Sequence, residues 1–329
     1  MGTSREYPEM ELGQSGTVDI SVVIVSWNAR RYLQECLKSL EDSPANRSME
    51  VIVVDNASTD GSPEMVETEF PWVKLVKADQ NLGFAKANNV GIRLSKGRYV
   101  SLINSDVKVL PDCLGTLADY LDQHPDIGNV GPRVLNGDLS LQGSCRRFPT
   151  LWNNACMAIG LSGAKHRFFS GEHMQYFAHD REMDVQVLVG CFWMVRKEAF
   201  EKAGLLDEDF FMYAEDVDWC KRCWNAGWRV AFNPSAEAIH YRGGSSVNDP
   251  VRFAVEQQRA VLHYWAKHHG WMGRLGIGTI LFCRSLARYL YGATSRIAKL
   301  APAEEGDNRM RISSACMQAL VTNEPTRKR

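Results

Sequence analysis

The strongest constraint in this sequence is a short apolar run that recurs and stops each time at polar residues. Asp19–Ser26 (DISVVIVS), Met49–Asp55 (MEVIVVD) and Tyr99–Asn104 (YVSLIN) are rich in β-branched residues and too brief for helices. Such runs suit strands covered on both faces, as in a parallel sheet. Between them the period changes. Tyr32, Leu33, Cys36, Leu37 and Leu40 sit at helical spacing, and Gly61–Phe70 predicts a helix with Pro63 in its first turn, where a missing N–H does no harm. Trp72–Lys77 predicts another strand and Phe84–Ser95 another helix, while Leu114, Leu117 and Leu121 mark one face of a helix after Pro111. Strands alternating with helices predict βαβ units joined by right-handed connections. Ligands of such sheets bind beyond the carboxyl ends of the strands. That rule singles out Ser26–Asn28, Asp55–Asp60 and Asn104–Asp106.

After about residue 140 the alternation stops. Leu141–Val185 is irregular, basic and aromatic; VLVGCFWMVR from Val187 predicts a strand, and the chain beyond Asp249 is helical and increasingly basic. From Arg252 onward thirteen basic residues face five acidic ones, a balance of +8, and the rest of the chain carries −9. The overall charge of −1 argues against a nucleic-acid binder. Leu275–Tyr291 is interrupted by Arg284 and Arg288, so no membrane span is expected, and Met1–Thr17 lacks the apolar core of a secretory signal. Nine scattered cysteines suggest reduced thiols and a cytoplasmic setting. The expected organisation is a flexible 1–17, a main domain 18–249 with halves 18–135 and 136–249, a basic helical annex 250–303, and a disordered tail 304–329.

Asp55, at a strand end, suits the ring N–H of a uracil or thymine. Ser58 and Asp60 beside it suit helix capping. The loop from Asn81 to Gly91 carries Lys86 and backbone amides at a helix N-terminus, a setting for phosphate oxygens. It has no P-loop spacing, and no GxGxxG follows the first strand. Asn104-Ser105-Asp106 offers a carboxylate to a divalent ion bound with a diphosphate. Asp207–Asp218 holds six carboxylates among Phe210, Phe211, Met212 and Tyr213, and Glu215 and Asp216 start a helix whose positive end favours their ionised form. An ionised carboxylate there suits a general base. His240 precedes a Gly-Ser loop. Cys220 and Cys223 have no second pair at zinc spacing and are expected to pack the helix.

In order, the segments SVVIVSWN, VIVVDNASTDGS, NLGFAKANNVGI, YVSLINSDVKV, GCFWMVRKEAF, DEDFFMYAEDVDWCKR and AIHYRGGSS span about residues 19–246. Together they resemble the family-2 inverting glycosyltransferases of the GT-A fold, and most closely their bacterial rhamnosyltransferase-like branch. The resemblance implies an α/β fold with a mostly parallel central sheet flanked by helices, followed by a C-terminal helical annex. It implies a nucleotide-diphosphate sugar as donor, with dTDP-rhamnose the first choice and a UDP-sugar the alternative. The acceptor would be a saccharide or a polyprenyl-linked saccharide of a cell-surface polysaccharide.

The resemblance also implies roles. Ser26, Trp27, Asn28, Asp55, Asn81, Lys86, Asn88, Ser105 and Asp106 would bind the donor nucleotide. Asp106 and His240 would hold Mg²⁺ or Mn²⁺, and Asp216, beside Glu215, would deprotonate the acceptor hydroxyl. Asn104 stands where the family's first DxD aspartate would be, and its neutral amide weakens the metal site. Trp193, Gly190 and Arg146 are expected on the acceptor side. The basic C-terminal helices either pack as an annex or lie on an anionic membrane, which would make the protein peripheral on the cytoplasmic face. An inactive sugar-nucleotide or glycan-binding module would have lost Asp106 or Asp216, and both are present. A nucleotidyltransferase would carry a Gly-rich basic loop after the first strand, where this chain has Ser26-Trp27-Asn28-Ala29-Arg30-Arg31.

Overall fold

The computed structural model describes residues 18–43, 45–163, 166, 168–169, 171–242, 250–297 and 302–322. The first half runs β1 (Ile20–Ser26), α1 (Arg30–Asp42), β2 (Met49–Asp55), α2 (Ser62–Glu69), β3 (Lys74–Lys77), α3 (Phe84–Leu94), β4 (Tyr99–Asn104), β5 (Val107–Val109), α4 (Cys113–Gln123) and β6 (Ile127–Leu135). Shorter pieces follow: β7 (Leu141–Gln142), β8 (Cys145–Arg146), α5 (Leu151–Ala158), β9 (Met183–Asp184), β10 (Val187–Leu188), β11 (Phe192–Arg196) and α6 (Lys197–Ala203). The chain continues with α7 (Glu215–Asn225), β12 (Arg229–His240), α8 (Pro250–Ile297) and α9 (Ala303–Val321).

The central sheet has the order β3-β2-β1-β4-β11-β6-β12-β5. β3, β2, β1 and β4 are parallel neighbours, β11 runs antiparallel to β4 and β6, and β5 pairs antiparallel with the end of β12. The β-branched runs alternate as strands covered on both sides must. Ile20, Val22, Ile24, Val51 and Val53 share a core with Leu33, Leu37 and Leu40 of α1. Ile52 and Val54 meet Ala87 and Val90 of α3 on the other face. Gly91 brings α3 down onto β1: a Cβ there would stand 2.2 Å from Cγ1 of Val23.

Four features differ from the sequence expectation. VLVGCFWMVR is two strands, because the chain leaves a small β8–β10 ribbon at Leu188 and joins the central sheet only at Phe192. Trp72 is exposed and lies outside β3. Residues 304–321, expected to lack structure, form most of α9, with Ser313, Cys316 and Ala319 buried. The chain also divides otherwise than into successive halves. One unit comprises the chain up to Arg146, His179–Glu208 and the stretch from Asp216 through β12; the other comprises Arg147–Ala178, Asp209–Glu215 and the C-terminal helices. The segment after Arg146 joins the helical unit because Leu151 of α5 seats on Gly276 of α8, where a Cβ would lie 3.2 Å from the leucine Cδ1. The expected flexible 1–17 and the Gly-Ser loop after His240 fall outside the described residues.

Two stability predictions follow from this packing. Gly91→Ala forces a methyl into the fully buried Val23 and is expected to cost about 1–3 kcal/mol, read as a lower melting temperature. Asp122 on α4 is a junction: it accepts from Arg98 at 2.6 and 3.0 Å, from the Tyr99 hydroxyl at 2.7 Å and from Arg47 at 2.7 Å. Partial burial pushes its carboxyl up, but these donors outweigh burial and hold it at about 2, below the ordinary 3.8. A carboxyl lowered by folding stabilises above its unfolded value and loses that contribution as pH falls through its folded one. Asp122→Asn is therefore expected to be less stable than the parent at neutral pH, with the gap closing between about pH 4 and pH 2 in denaturant titrations.

Candidate active site

β1, β2 and β4 end level with one another: Ser26 is opposite Asp55, and Val25 is opposite Asn104. At that edge three buried oxygens, Ser26 Oγ, Asp55 Oδ1 and Asn104 Oδ1, find no hydrogen-bond partner among the described residues. A buried acceptor left unmade costs about 1–3 kcal/mol, so three on adjacent strand ends mark a place prepared for a ligand. The other Asp55 oxygen accepts from the Ser58 N–H at 3.0 Å. The carboxylate is thus aimed by its own loop while keeping one free acceptor, which suits an imide N–H of a pyrimidine.

The loops around this edge are pinned by asparagines. Asn28 Oδ1 accepts from the Thr59 N–H at 2.8 Å, and the Asn28 N–H donates to Ser58 Oγ at 2.9 Å. Asn81 Oδ1 takes the Asn56 amide and the Gly83 N–H, each at 2.9 Å. Asn88 is buried on α3 and donates to the Phe84 carbonyl at 2.9 Å. Of these three side chains, expected to touch the nucleotide, Asn28 and Asn81 engage their amide oxygens and Asn88 its amide N–H within the protein, which fixes the loops around the strand ends. Trp27 and Ser105 are half-buried in the turns after β1 and β4. Lys86 stays partly exposed in the first turn of α3, 4.0 Å from Glu208, with its ammonium available to a phosphate.

Asp106 and His240 are 134 positions apart in sequence and meet because β5 pairs with the last residues of β12. Asp106 Oδ1 lies 3.1 Å from His240 Nε2, and the Tyr241 N–H donates to the Asp106 carbonyl at 3.0 Å. Gln142 fixes the ring from behind: its Oε1 is 2.7 Å from Nδ1, and its amide donates to the His240 carbonyl at 3.1 Å. Burial alone would lower the imidazole pKa, but the contacts with Asp106 and Cys191 outweigh it and raise it to about 10. One carboxylate and one imidazole, with the unpartnered Asn104 amide nearby in the chain, are donors that suit Mg²⁺ or Mn²⁺ completed by water and phosphate oxygens. A ligating histidine oriented by a second-layer partner is the usual arrangement.

Cys191 ties this corner to the candidate base. Its carbonyl accepts from the Asn104 N–H at 3.0 Å, and the N–H of its neighbour Gly190 donates to Asp216 Oδ2 at 3.2 Å. The other Asp216 oxygen takes the Val217 N–H at 2.8 Å. One backbone donor from the turn before β11 and one from the first turn of α7 thus fix the direction of this carboxylate. Glu215, one residue earlier, is also buried. Gly190 has to be small, since a Cβ would lie 3.3 Å from that of Asp216.

Trp193 is not on an acceptor surface. It is 2% exposed, its ring packs 5.4 Å from that of Trp219, and its indole N–H serves the carbonyls of Leu188 and Val189 at 3.2 and 3.1 Å. It holds the turn that carries Gly190. Arg146 lies on β8 opposite Val187, in the ribbon leading into the same turn. Gln142 carries no signal in the sequence, because its importance comes from bonds to His240, 98 positions later.

Backbone strain gathers here too. Among the described residues nine non-glycines have positive φ, and five flank the site: Asn28, Ala57, Tyr213, Ala214 and Arg242, between 49° and 71°. Tyr213 and Ala214 are consecutive and immediately precede Glu215 and Asp216. Such conformations cost on the order of 1 kcal/mol or more each and cluster at functional sites.

Sequence and fold both match known proteins. The sequence-family profile described as Glycosyl transferase family 2 matches residues 21–204. The chain is 30% identical over 264 residues to an N-acetylglucosaminyl-diphospho-decaprenol L-rhamnosyltransferase of Mycobacterium tuberculosis, covering 77% of this chain and 86% of that one. It is 27% identical to the dTDP-rhamnosyl transferase RfbF of Shigella flexneri, over 73% of this chain and 76% of the other. Among solved structures, a mannosyltransferase from Pyrobaculum calidifontis in complex with GDP-Man and Mn²⁺ superposes with a TM-score of 0.54 at 17% identity, covering 94% of this chain and 88% of that one. That likeness shows the GT-A fold. With a family match over more than half its length and a relative 30% identical over most of both chains, this protein belongs to Glycosyl transferase family 2 and is a glycosyltransferase.

Proposed function

We propose that the protein transfers L-rhamnose from dTDP-rhamnose, with inversion, to a saccharide or polyprenyl-linked saccharide, and works as a peripheral enzyme on the cytoplasmic face of a membrane. The observation that carries the reading is the row of unpartnered oxygens on three adjacent strand ends, beside a carboxylate held by two backbone N–H groups. The names of the two relatives favour rhamnose and a lipid-linked acceptor. Asp55 would accept the thymine imide N–H, and Lys86 would face phosphate oxygens. Asp106 and His240 would hold a divalent ion, which when bound offsets the charge of the leaving diphosphate.

Asp216 takes the proton of the acceptor hydroxyl. That oxygen bonds to the anomeric carbon as the bond from carbon to the diphosphate oxygen breaks, and the nucleoside diphosphate leaves. Attack from the side opposite the leaving group inverts the centre. The Gly190 and Val217 N–H groups aim Asp216.

The test is turnover of dTDP-rhamnose against a panel of UDP-, GDP- and dTDP-sugars, with Mn²⁺, Mg²⁺ or EDTA. Cleavage of dTDP-rhamnose alone is expected; preference for a UDP-sugar would replace the donor assignment. Asp216→Asn is expected to lower kcat by about 10²–10⁴-fold while dTDP still raises the melting temperature. Near-normal turnover in that variant would remove Asp216 as base. Gly190→Ala is expected to lower kcat about tenfold or more with little change in donor KM, since the added methyl displaces Asp216 and not the nucleotide. Asp106→Asn is expected to raise the Mn²⁺ concentration needed for half-maximal turnover.

A further inference from the structure

The hairpin that joins β6 to β7 ends directly behind His240. Val134 pairs with Gln142 and Leu135 with Leu141, so the turn between the strands is short. Its own bonds hold it: the Asn136 N–H donates to the Ser140 carbonyl at 2.8 Å, and Asp138 Oδ1 accepts from the Ser140 N–H at 3.0 Å. Gly137 seats the turn against the Asp106–His240 corner. A Cβ there would lie 3.1 Å from Cδ1 of Tyr241, the residue whose N–H donates to the Asp106 carbonyl. Gln142 is 4% exposed, so its amide has to find its partners within the protein.

A side-chain amide fits either way round unless its neighbours decide. Here two backbone carbonyls decide, because a carbonyl only accepts. The Asn136 amide nitrogen donates to Ser140 Oγ at 2.9 Å and to the Leu141 carbonyl at 3.4 Å, which leaves Asn136 Oδ1 facing Gln142. The Gln142 nitrogen donates to that oxygen at 2.7 Å and to the His240 carbonyl at 3.1 Å. Both of its hydrogens are used, and turning the amide over would set oxygen against oxygen twice. Gln142 Oε1 is left facing His240 Nδ1 at 2.7 Å. An amide oxygen has no hydrogen to give, so Nδ1 must carry one. The nitrogen that remains to ligate is Nε2, 3.1 Å from Asp106 Oδ1.

We infer that Gln142, itself set by Asn136, is the positioning residue that selects the His240 tautomer with hydrogen on Nδ1 and so presents Nε2 to a divalent ion beside Asp106. The inference rests on the metal role proposed above for Asp106 and His240, and adds which nitrogen ligates and what enforces the choice. In the opposite tautomer the lone pair would point at Gln142, and the His240 side chain, 12% exposed, has little room to turn over. The oxygen and both amide hydrogens of Gln142 are engaged within the protein, so it acts through His240 and not on substrate.

The test is Mn²⁺ binding by the full chain with dTDP, followed by the paramagnetic resonance of the free ion. The spin-echo modulation of the bound ion reports a coordinated nitrogen. The parent is expected to show that modulation and His240→Ala to lose it. Gln142→Leu, close in size but without an acceptor, is expected to weaken Mn²⁺ binding about 10–100-fold and to diminish the nitrogen signal. Asn136→Leu, a milder change that leaves Gln142 one of its two anchors, is expected to weaken it about threefold. Asn136→Asp keeps an oxygen facing Gln142 and is expected to bind as the parent does. In protein labelled with ¹⁵N-histidine and loaded with Mg²⁺ and dTDP, the His240 hydrogen is expected on Nδ1. Hydrogen on Nε2 with Nδ1 bare would overturn the inference, as would equal losses in Asn136→Asp and Asn136→Leu. Parent-like Mn²⁺ affinity and nitrogen signal in Gln142→Leu would overturn it too and leave the metal site standing. Bound Mn²⁺ without nitrogen modulation in the parent would strike His240 as a ligand, and the inference with it.

Discussion

The site depends on three parallel strands ending level. β1 is hydrogen-bonded to β2 on one side and β4 on the other, and that register puts Ser26, Asp55 and Asn104 at one edge. A slip of one residue would send each strand's side chains to the opposite face. Val22, Ile24 and Val51 would then leave the α1 core, and Ser26 and Asp55, which share their face, would turn away from it. Burial of the strands on both faces therefore fixes the positions of the polar atoms at their tips. Gly91, by letting α3 settle against Val23, helps to lock that register from the second face.

What the sequence makes legible follows from this local logic. β1, β2, β4 and their helices are visible because a strand buried on both sides must be apolar throughout, and a helix covering it must show one apolar face. Asp55 and Asp106 are visible because they interrupt that pattern at a strand end. Gln142 is not, since it sits in a two-residue strand and acts only through His240, 98 positions later. Trp193 misleads because an aromatic beside a glycine suggests a sugar platform, whereas here its N–H and its packing on Trp219 hold the glycine's turn. The helix α9 is hidden because its seam is made of Gly306, Ser313 and Cys316, which carry almost no hydrophobic signal.

The same trade recurs at each corner of the site. Asn28, Asn56 and Asn81 satisfy loop amides, so the loops can hold positive φ at Asn28 and Ala57 without help from a ligand. The unpartnered oxygens and the strained turn before Asp216 oppose folding by a few kcal/mol together. The hydrophobic core around β1 and α1 has to offset that amount. A ligand that fills the missing hydrogen bonds would return part of it, which links donor binding to stability.

The two compact units resolve opposite problems with the same residue. In the sheet unit, Gly91 and Gly190 let helices come close to a strand and to a carboxylate, so smallness serves precision. In the helical unit, Gly276 and Gly292 let α5 and α9 come close to α8, so smallness substitutes for the apolar seam that a helix pair in water normally uses. The first arrangement leaves the large side chains inside, and the second turns them out. Which side of a helix carries its large residues is therefore set locally in each unit, by where its glycines allow a close approach.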